Sequence, residues 1–237
     1  MKRYTYLIFD ADHTLLEYCA DEKDAFIRLY QEIGLPISEK LLQDSRLSSE
    51  KNWTDAGLYE VEKAEIQTRY HDLYRSHMTG IFEEIFEKYG CTFSPIQASE
   101  RFLKHLEQGG NYMPNAERVI KTLHEKNAYR LAVATNGLND IQQGRLQELK
   151  DYFSHTFISE TIKAIKPTTA FFQAVLQTAN VSPAECLMIG DSLSSDVAGA
   201  LHMGIDACWY NPWGKENTTQ IQPTYTIRDL NELLTIL

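Results

Sequence analysis

Short apolar runs rich in Val, Ile and aromatic residues recur along the chain at 4–9, 129–134, 153–159, 186–189 and 205–210. Between them lie segments with helical spacing: 116–126 (Val119, Ile120, Leu123), 140–149 and 169–179. Strands that alternate with helices are joined by crossovers, not hairpins. The pattern therefore predicts an α/β fold, a doubly wound parallel sheet with helices on both faces. One interval breaks the alternation. From residue 17 to 110 no strand-like run occurs, while helical spacing does: Phe26, Leu29, Tyr30 and Ile33, then Ile66, Tyr70, Leu73 and Tyr74, then Ile81, Ile85 and Phe86. Roughly ninety residues are too many for a loop. A helical subdomain inserted after the first strand is expected, with 1–17 and 111–237 as the core, 18–110 as the insert, and GGNYMP (109–114) as the return hinge.

The strand ends carry the functional information, because ligands of open α/β sheets sit outside the carboxyl ends of the strands. YLIF is followed by Asp10-Ala-Asp12-His-Thr14, which puts two carboxylates on one side of a chain that is still extended. Like charges that close repel unless a cation or a shared proton offsets them. An ordinary solvated turn also carries Asp, and this stretch alone does not choose between the two readings. LAVAT leads into Thr135-Asn136-Gly137, the third strand is followed by Lys166-Pro167, and CLMIG leads into Asp191-Ser-Leu-Ser-Ser-Asp196. Taken singly, Asn-Gly is a turn signal and Lys166 a surface lysine. Four successive strand exits bearing hydroxyl, amide, ammonium and carboxylate groups point instead to one site.

That set suits phosphoryl transfer. A carboxylate can attack phosphorus and form an aspartyl phosphate, which divides one difficult displacement into two. A Mg²⁺ ion on hard oxygen ligands would bring two anions together. Thr135 and Lys166 can hold phosphate oxygens. Asp12 can give a proton to the leaving oxygen and take one from water.

IFDADHTLL, VATNG, IKP followed by Phe171 and Phe172, and MIGDSLSSD resemble, in order and spacing, the four signature motifs of the haloacid dehalogenase superfamily, and the helical insert resembles its C1 cap. The resemblance implies Asp10 as nucleophile and Asp12 as general acid/base. It implies phosphate binding by Thr135, Lys166 and the backbone of Asn136. It also implies Mg²⁺ held by Asp10, the Asp12 carbonyl and Asp191, with Asp196 in support. Thr14 is expected to hold the loop rather than touch substrate, and His13 has no assigned role. The second acid, Asp12, disfavours halide displacement, which needs no leaving-group acid. Phosphonate hydrolysis in this superfamily uses a cap lysine, and Lys23, Lys40, Lys51 and Lys63 lie in no such motif; solvated helix faces are expected for them.

The resemblance is strongest to bacterial 5'-nucleotidases, with TNGLNDIQQGRL (135–146) and WYNP (209–212) as softer cues. It implies a nucleoside monophosphate as substrate and a monomer or homodimer. Phosphatases or phosphomutases of sugar phosphates or phosphoglycolate, and a non-catalytic binding protein on the same fold, are the alternatives. The segment from Lys51 to Tyr59, with Trp53 and Tyr59, has the composition of a specificity loop that stacks on a flat ring, although core packing suits both aromatics at least as well.

Charge narrows the partners. A formal net charge of -10 over 237 residues opposes a nucleic-acid polymer or an anionic membrane as partner. A small phosphate ester remains admissible, because local groups set the field at a site. No apolar run approaches the ~20 residues of a bilayer span. Met1-Lys2-Arg3 leads into the first strand without a signal-peptide pattern, so a cytoplasmic protein is expected. Four scattered cysteines without a CxxC pair are expected to be free thiols.

Overall fold

The computed structural model describes residues 4–237; the reading of Met1-Lys2-Arg3 lies outside the described residues. Six strands form one parallel sheet in the order β3-β2-β1-β4-β5-β6: β1 (Tyr6–Phe9), β2 (Arg130–Thr135), β3 (His155–Ile158), β4 (Cys186–Gly190), β5 (Asp206–Tyr210) and β6 (Tyr225–Ile227). β1 lies between β2 and β4, so the chain reverses its direction of growth at β1, where a crevice opens beyond the strand ends. Alternate residues of β1 enter opposite layers. Leu7 and Phe9 pack with Val119, Ile120 and Leu123, while Tyr6 and Ile8 pack with Phe171, Phe172 and Val175. Burial on both faces explains why the strands read as unbroken apolar runs.

The stretch inserted after β1 holds four helices, α1 (Tyr18–Glu32), α2 (Glu39–Asp55), α3 (Ala64–Tyr89) and α4 (Pro95–Glu107). Their apolar stripes meet in a core of their own, with Phe26, Leu29, Phe82, Phe86 and Phe102 at its centre, extended toward the sheet by Leu138, Ile141 and Ile165. Ser38 and Ser94 cap α2 and α4 by accepting from the backbone N–H of Leu41 and Gln97, and Gly90 ends α3 in the left-handed conformation. The covering helices of the sheet are α5 (Ala116–Glu125), α6 (Asn139–Arg145), α7 (Ser159–Ile162), α8 (Thr169–Ala179), α9 (Ala198–His202) and α10 (Leu233–Ile236).

Two expectations need correction. The periodicity over 140–149 overstates α6, which ends at Arg145 with Gly144, a weak helix former, in its last turn. The segment from Lys51 to Tyr59 is not one loop: Lys51 to Asp55 are the last turn of α2, so Trp53 sits on a helix and only the residues after Ala56 are irregular. β6 is a three-residue edge strand, too short to stand out as a periodic run. The four cysteines are free. No helix among the described residues is long and apolar enough to cross a membrane.

The two chain segments joining the insertion to the sheet run side by side. The N–H of Glu17 donates to Asn111 O at 2.8 Å and that of Met113 to Leu15 O at 2.9 Å. Asp21, at the start of α1, accepts through Oδ1 from the N–H groups of Gly110 and Asn111 and from Asn111 Nδ2, each at 2.9 Å. A Cβ on Gly109 would meet Asp21 Cγ at 2.6 Å, so the return segment tolerates only glycine there.

Candidate active site

The ladder runs one residue beyond β1, where the Asp10 N–H donates to Ile189 O at 2.8 Å and thereby fixes the Asp10 carboxylate over the end of the central strand. The Lys166 side chain, 2% exposed, reaches the same point from the turn before α8. Its ammonium donates to Asp10 Oδ1 (2.5 Å), Asp196 Oδ1 (2.6 Å) and Ala134 O (2.7 Å), which uses all three of its protons. Lys166 is therefore not a solvated lysine. Burial disfavours its charge, but Asp10 and Asp196 outweigh that and hold the ammonium firmly protonated. Asp196 folds back over Gly190, accepting from the Ser192 N–H at 3.0 Å; a Cβ on Gly190 would meet its Oδ2 at 2.3 Å.

Carboxylate oxygens of Asp10, Asp191 and Asp196 lie within 4.8 Å of one another. Burial, and then the charge of Asp196, raise the Asp10 carboxyl well above its usual range despite Lys166, and the same two causes push Asp191 up to about 7. One ammonium among three carboxylates leaves an excess of negative charge that is all oxygen in character. Such a donor set fits a hard divalent cation and offers nothing to a thiophilic one.

Two residues that the motif reading passed over govern Asp12. Arg145 Nη1 donates to Asp12 Oδ1, while Gln142 Nε2 donates to Asp12 Oδ2 at 2.8 Å and to Thr135 Oγ1 at 2.6 Å. Arg145 Nη1 also donates to Gln142 Oε1 at 3.1 Å, and its Nε to Asp21 Oδ2 at 2.7 Å. The Arg145 side chain is fully buried, with its guanidinium 5.3 Å from the Tyr18 ring centre. The sequence does hold the signal: Gln142 and Arg145 are three apart and share one face of α6, although both are polar. Thr135 accepts from Gln142, so its own hydroxyl proton is left to donate elsewhere. Asn136 uses both ends of its side-chain amide on the Lys166 backbone, at 2.8 and 2.9 Å, which braces the β2 exit against the Lys166 turn. The Thr14 hydroxyl is buried without a hydrogen-bond partner among the described residues, so its side chain adds no hydrogen bond to the loop. The backbone N–H groups of Thr14, Leu15 and Leu16 donate to Ala11 O and hold the loop.

Above these groups lies a chamber of about 580 Å³. Asp10, Asp12, Thr135, Asn136, Lys166 and Asp191 form its core side. The insertion supplies Tyr18, Trp53, Tyr70 and Tyr74 as aromatic wall and Glu22, Arg46 and Ser49 as polar wall, with the exposed Tyr59 at the rim. His13 also lines the chamber, its ring near Tyr18 and Trp213, and burial lowers its pKa. Lys23, Lys40, Lys51 and Lys63 are exposed and stand outside it.

A family model for haloacid dehalogenase-like hydrolases matches residues 4–204. The pyrimidine 5'-nucleotidase PynA of Streptococcus pneumoniae is 35% identical, with 99% of this chain and 95% of the relative aligned. The pyrimidine 5'-nucleotidase YjjG of Escherichia coli is 26% identical, with 99% and 98% aligned. Among solved structures, the HAD-hydrolase YfnB of Bacillus subtilis, described as bound to magnesium, superposes with a TM-score of 0.84 at 30% identity, covering 100% of this chain and 99% of that one. The buried aspartate beyond the central strand, the lysine that pairs with it and this full-length kinship lead to one assignment: the chain belongs to the haloacid dehalogenase-like hydrolases.

Proposed function

We propose that the protein is a phosphomonoesterase that hydrolyses nucleoside monophosphates, those with pyrimidine bases foremost, through a phosphorylated Asp10. The observation that carries this reading is the Asp10 carboxylate, fixed beyond β1 and paired with Lys166 at 2.5 Å on the core side of a chamber whose far wall is aromatic. Aligned relatives with pyrimidine 5'-nucleotidase names support the substrate class.

In the proposed mechanism, an Asp10 oxygen attacks phosphorus as the bond to the ester oxygen breaks. The Lys166 ammonium, its three protons held by Asp10, Asp196 and Ala134 O, sets a fixed positive charge beside the phosphate, and the free Thr135 hydroxyl proton holds a phosphate oxygen where charge shifts. Asp12, oriented by Arg145 and Gln142, delivers a proton to the departing oxygen. It then removes one from the water that attacks the acyl phosphate and frees Asp10. Asp10, Asp191 and the Asp12 carbonyl would hold Mg²⁺, with Asp196 in support. When bound, that ion offsets the negative charge of carboxylate and phosphate so that they can approach. Residues 18–110 act as a cap that excludes water and contacts the leaving group, and Trp53 and Tyr59 belong to its substrate-facing side.

The test is release of inorganic phosphate from dUMP, dCMP, ribose 5-phosphate and phosphoglycolate, with Mg²⁺ and after chelation. Higher kcat/KM for the nucleotides, abolished by Asp10→Asn and by chelation, is expected. Preference for phosphoglycolate or a sugar phosphate would overturn the substrate reading, and undiminished turnover by Asp10→Asn would overturn the mechanism.

A further inference from the structure

The phosphate chemistry leaves a buried acid of the chamber wall unused. Glu22, on α1, is 5% exposed and yet lines the chamber on the insertion side. Ser49 Oγ donates to its Oε1 at 2.6 Å, and no aspect of the proposed phosphoryl transfer calls on either residue. A buried acid in a chamber also lined by Tyr18, Trp53, Tyr70 and Tyr74 is costly unless it meets a matched partner. The adjoining face of α2 supplies groups of the opposite kind: Arg46, Ser49 and Trp53 follow at spacings of three and four and all line the chamber. The Trp53 indole N–H is buried with no hydrogen-bond partner among the described residues. With the Ser49 proton held by Glu22, the Arg46 guanidinium and the Trp53 N–H remain as donors lining the same chamber as this acceptor, a set complementary to the edge of uracil or thymine, where one ring N–H lies between two carbonyl oxygens. The flat aromatic walls suit the ring faces.

We infer that Glu22, braced by Ser49, reads the hydrogen-bonding edge of a pyrimidine base and accepts the N3–H of uracil or thymine. The inference rests on the nucleotidase reading above and names the residue that would set its base preference. Burial pushes the Glu22 carboxyl up to about 7, against the Ser49 hydrogen bond and the Arg46 charge that lower it. The groups facing it are Glu17, Tyr18, Cys19 and Tyr30 on and beside α1, Arg46 and Glu50 on α2, Tyr59 in the following loop and Tyr74 on α3. Cys19, Tyr59 and Tyr74 are all raised and stay neutral near pH 7. Above pH 7 Glu22 is a pure acceptor for uracil. Below it, the protonated acid donates to N3 of cytosine and accepts from the cytosine amine.

The experiment measures kcat/KM for dUMP and dCMP from pH 6 to pH 8 in the wild type and in Glu22→Gln. The phosphate ionisation is common to both substrates and cancels in their ratio. The expected result is a dUMP/dCMP ratio that rises about tenfold or more across this range in the wild type and stays flat in Glu22→Gln, whose amide cannot ionise. A flat ratio in the wild type overturns the inference without reference to any variant, as does an undiminished slope in Glu22→Gln. Failure of the nucleotidase reading looks different: neither nucleotide is hydrolysed while p-nitrophenyl phosphate is, and the Glu22 assignment then falls with it.

Discussion

Replacing Arg145 with methionine should reveal how tightly the insertion, the return segment at Gly110 and Asn111, and Asp12 are tied together. The guanidinium is fully buried and serves Asp21 through Nε and Asp12 and Gln142 through Nη1. Without it, Asp21, whose side chain is 0% exposed, keeps three N–H donors on Oδ1 but loses the cation on Oδ2. Breaking a buried pair from one side costs about 3–5 kcal/mol, a large fraction of the ~5–15 kcal/mol that holds a domain folded. Asp21→Asn in the same chain removes the stranded charge while its amide oxygen still accepts from Gly110 and Asn111. The double variant should therefore recover about 1–3 kcal/mol relative to the sum of the singles. Urea denaturation of the wild type, both singles and the double measures that coupling directly. In parallel, kcat on dUMP should fall in Arg145→Met more than KM rises, because Asp12 loses its orientation and not its contact with bound substrate. A loss under about 1 kcal/mol, or strictly additive costs, would refute the assignment of Arg145 as the tie.

Other consequences follow from the same geometry. Lys166→Met should lower kcat by about 10²–10³-fold or more and leave Asp10 and Asp196 without their cation. Burial and the charge of Asp196 raise the Asp10 carboxyl, and an acid raised in the folded state loses stability as pH rises through its folded pKa, so the urea-midpoint deficit of Lys166→Met should be larger at pH 8 than at pH 5. His77, buried in the insertion, is lowered to about 4 by burial. For a base depressed in the folded state, stability is complete above the unfolded value of 6.5 and is lost as pH falls toward 4. At about 1.4 kcal/mol per pH unit the loss reaches roughly 3 kcal/mol. His77→Phe should therefore lose less Tm than wild type between pH 7.5 and pH 4.5, and an equal loss would contradict the effect. Asn136→Ala should raise KM by about 10-fold, since it removes two hydrogen bonds that hold the Lys166 turn; an unchanged KM would show that the turn holds without them.

The sheet was legible because a strand buried on both faces must be apolar throughout, so β1, β2, β4 and β5 stand out as runs. β6 was not, since three residues at an edge carry no period. The core side of the chamber was legible for a related reason: Asp10, Asp12, Thr135, Asn136 and Asp191 sit at or just after the end of such a run, where the fold has one place to put them, and Lys166 follows β3 after the short α7. Asp12's partners were not. Gln142 and Arg145 belong to a helix, and their burial depends on Asp12 and Asp21, far away in sequence, which local spacing cannot disclose. Glu22 was hidden in the same way, since an acid on an amphipathic helix reads as solvated until α2 closes over it. Trp53 was misplaced because a composition of Asn, Asp and Gly suggested a loop, whereas α2 continues through it to Asp55 and turns only beyond Ala56.

The most direct test of the central claim is to trap the enzyme during turnover. Protein mixed with dUMP and Mg²⁺, quenched in acid, reduced with borohydride and sequenced by peptide mass spectrometry should carry homoserine at residue 10, the mark of an aspartyl phosphate, and at no other aspartate. Full turnover of the nucleotide with Asp10 unmodified under conditions that trap an acyl phosphate, or the mark on Asp12 instead, would contradict the account.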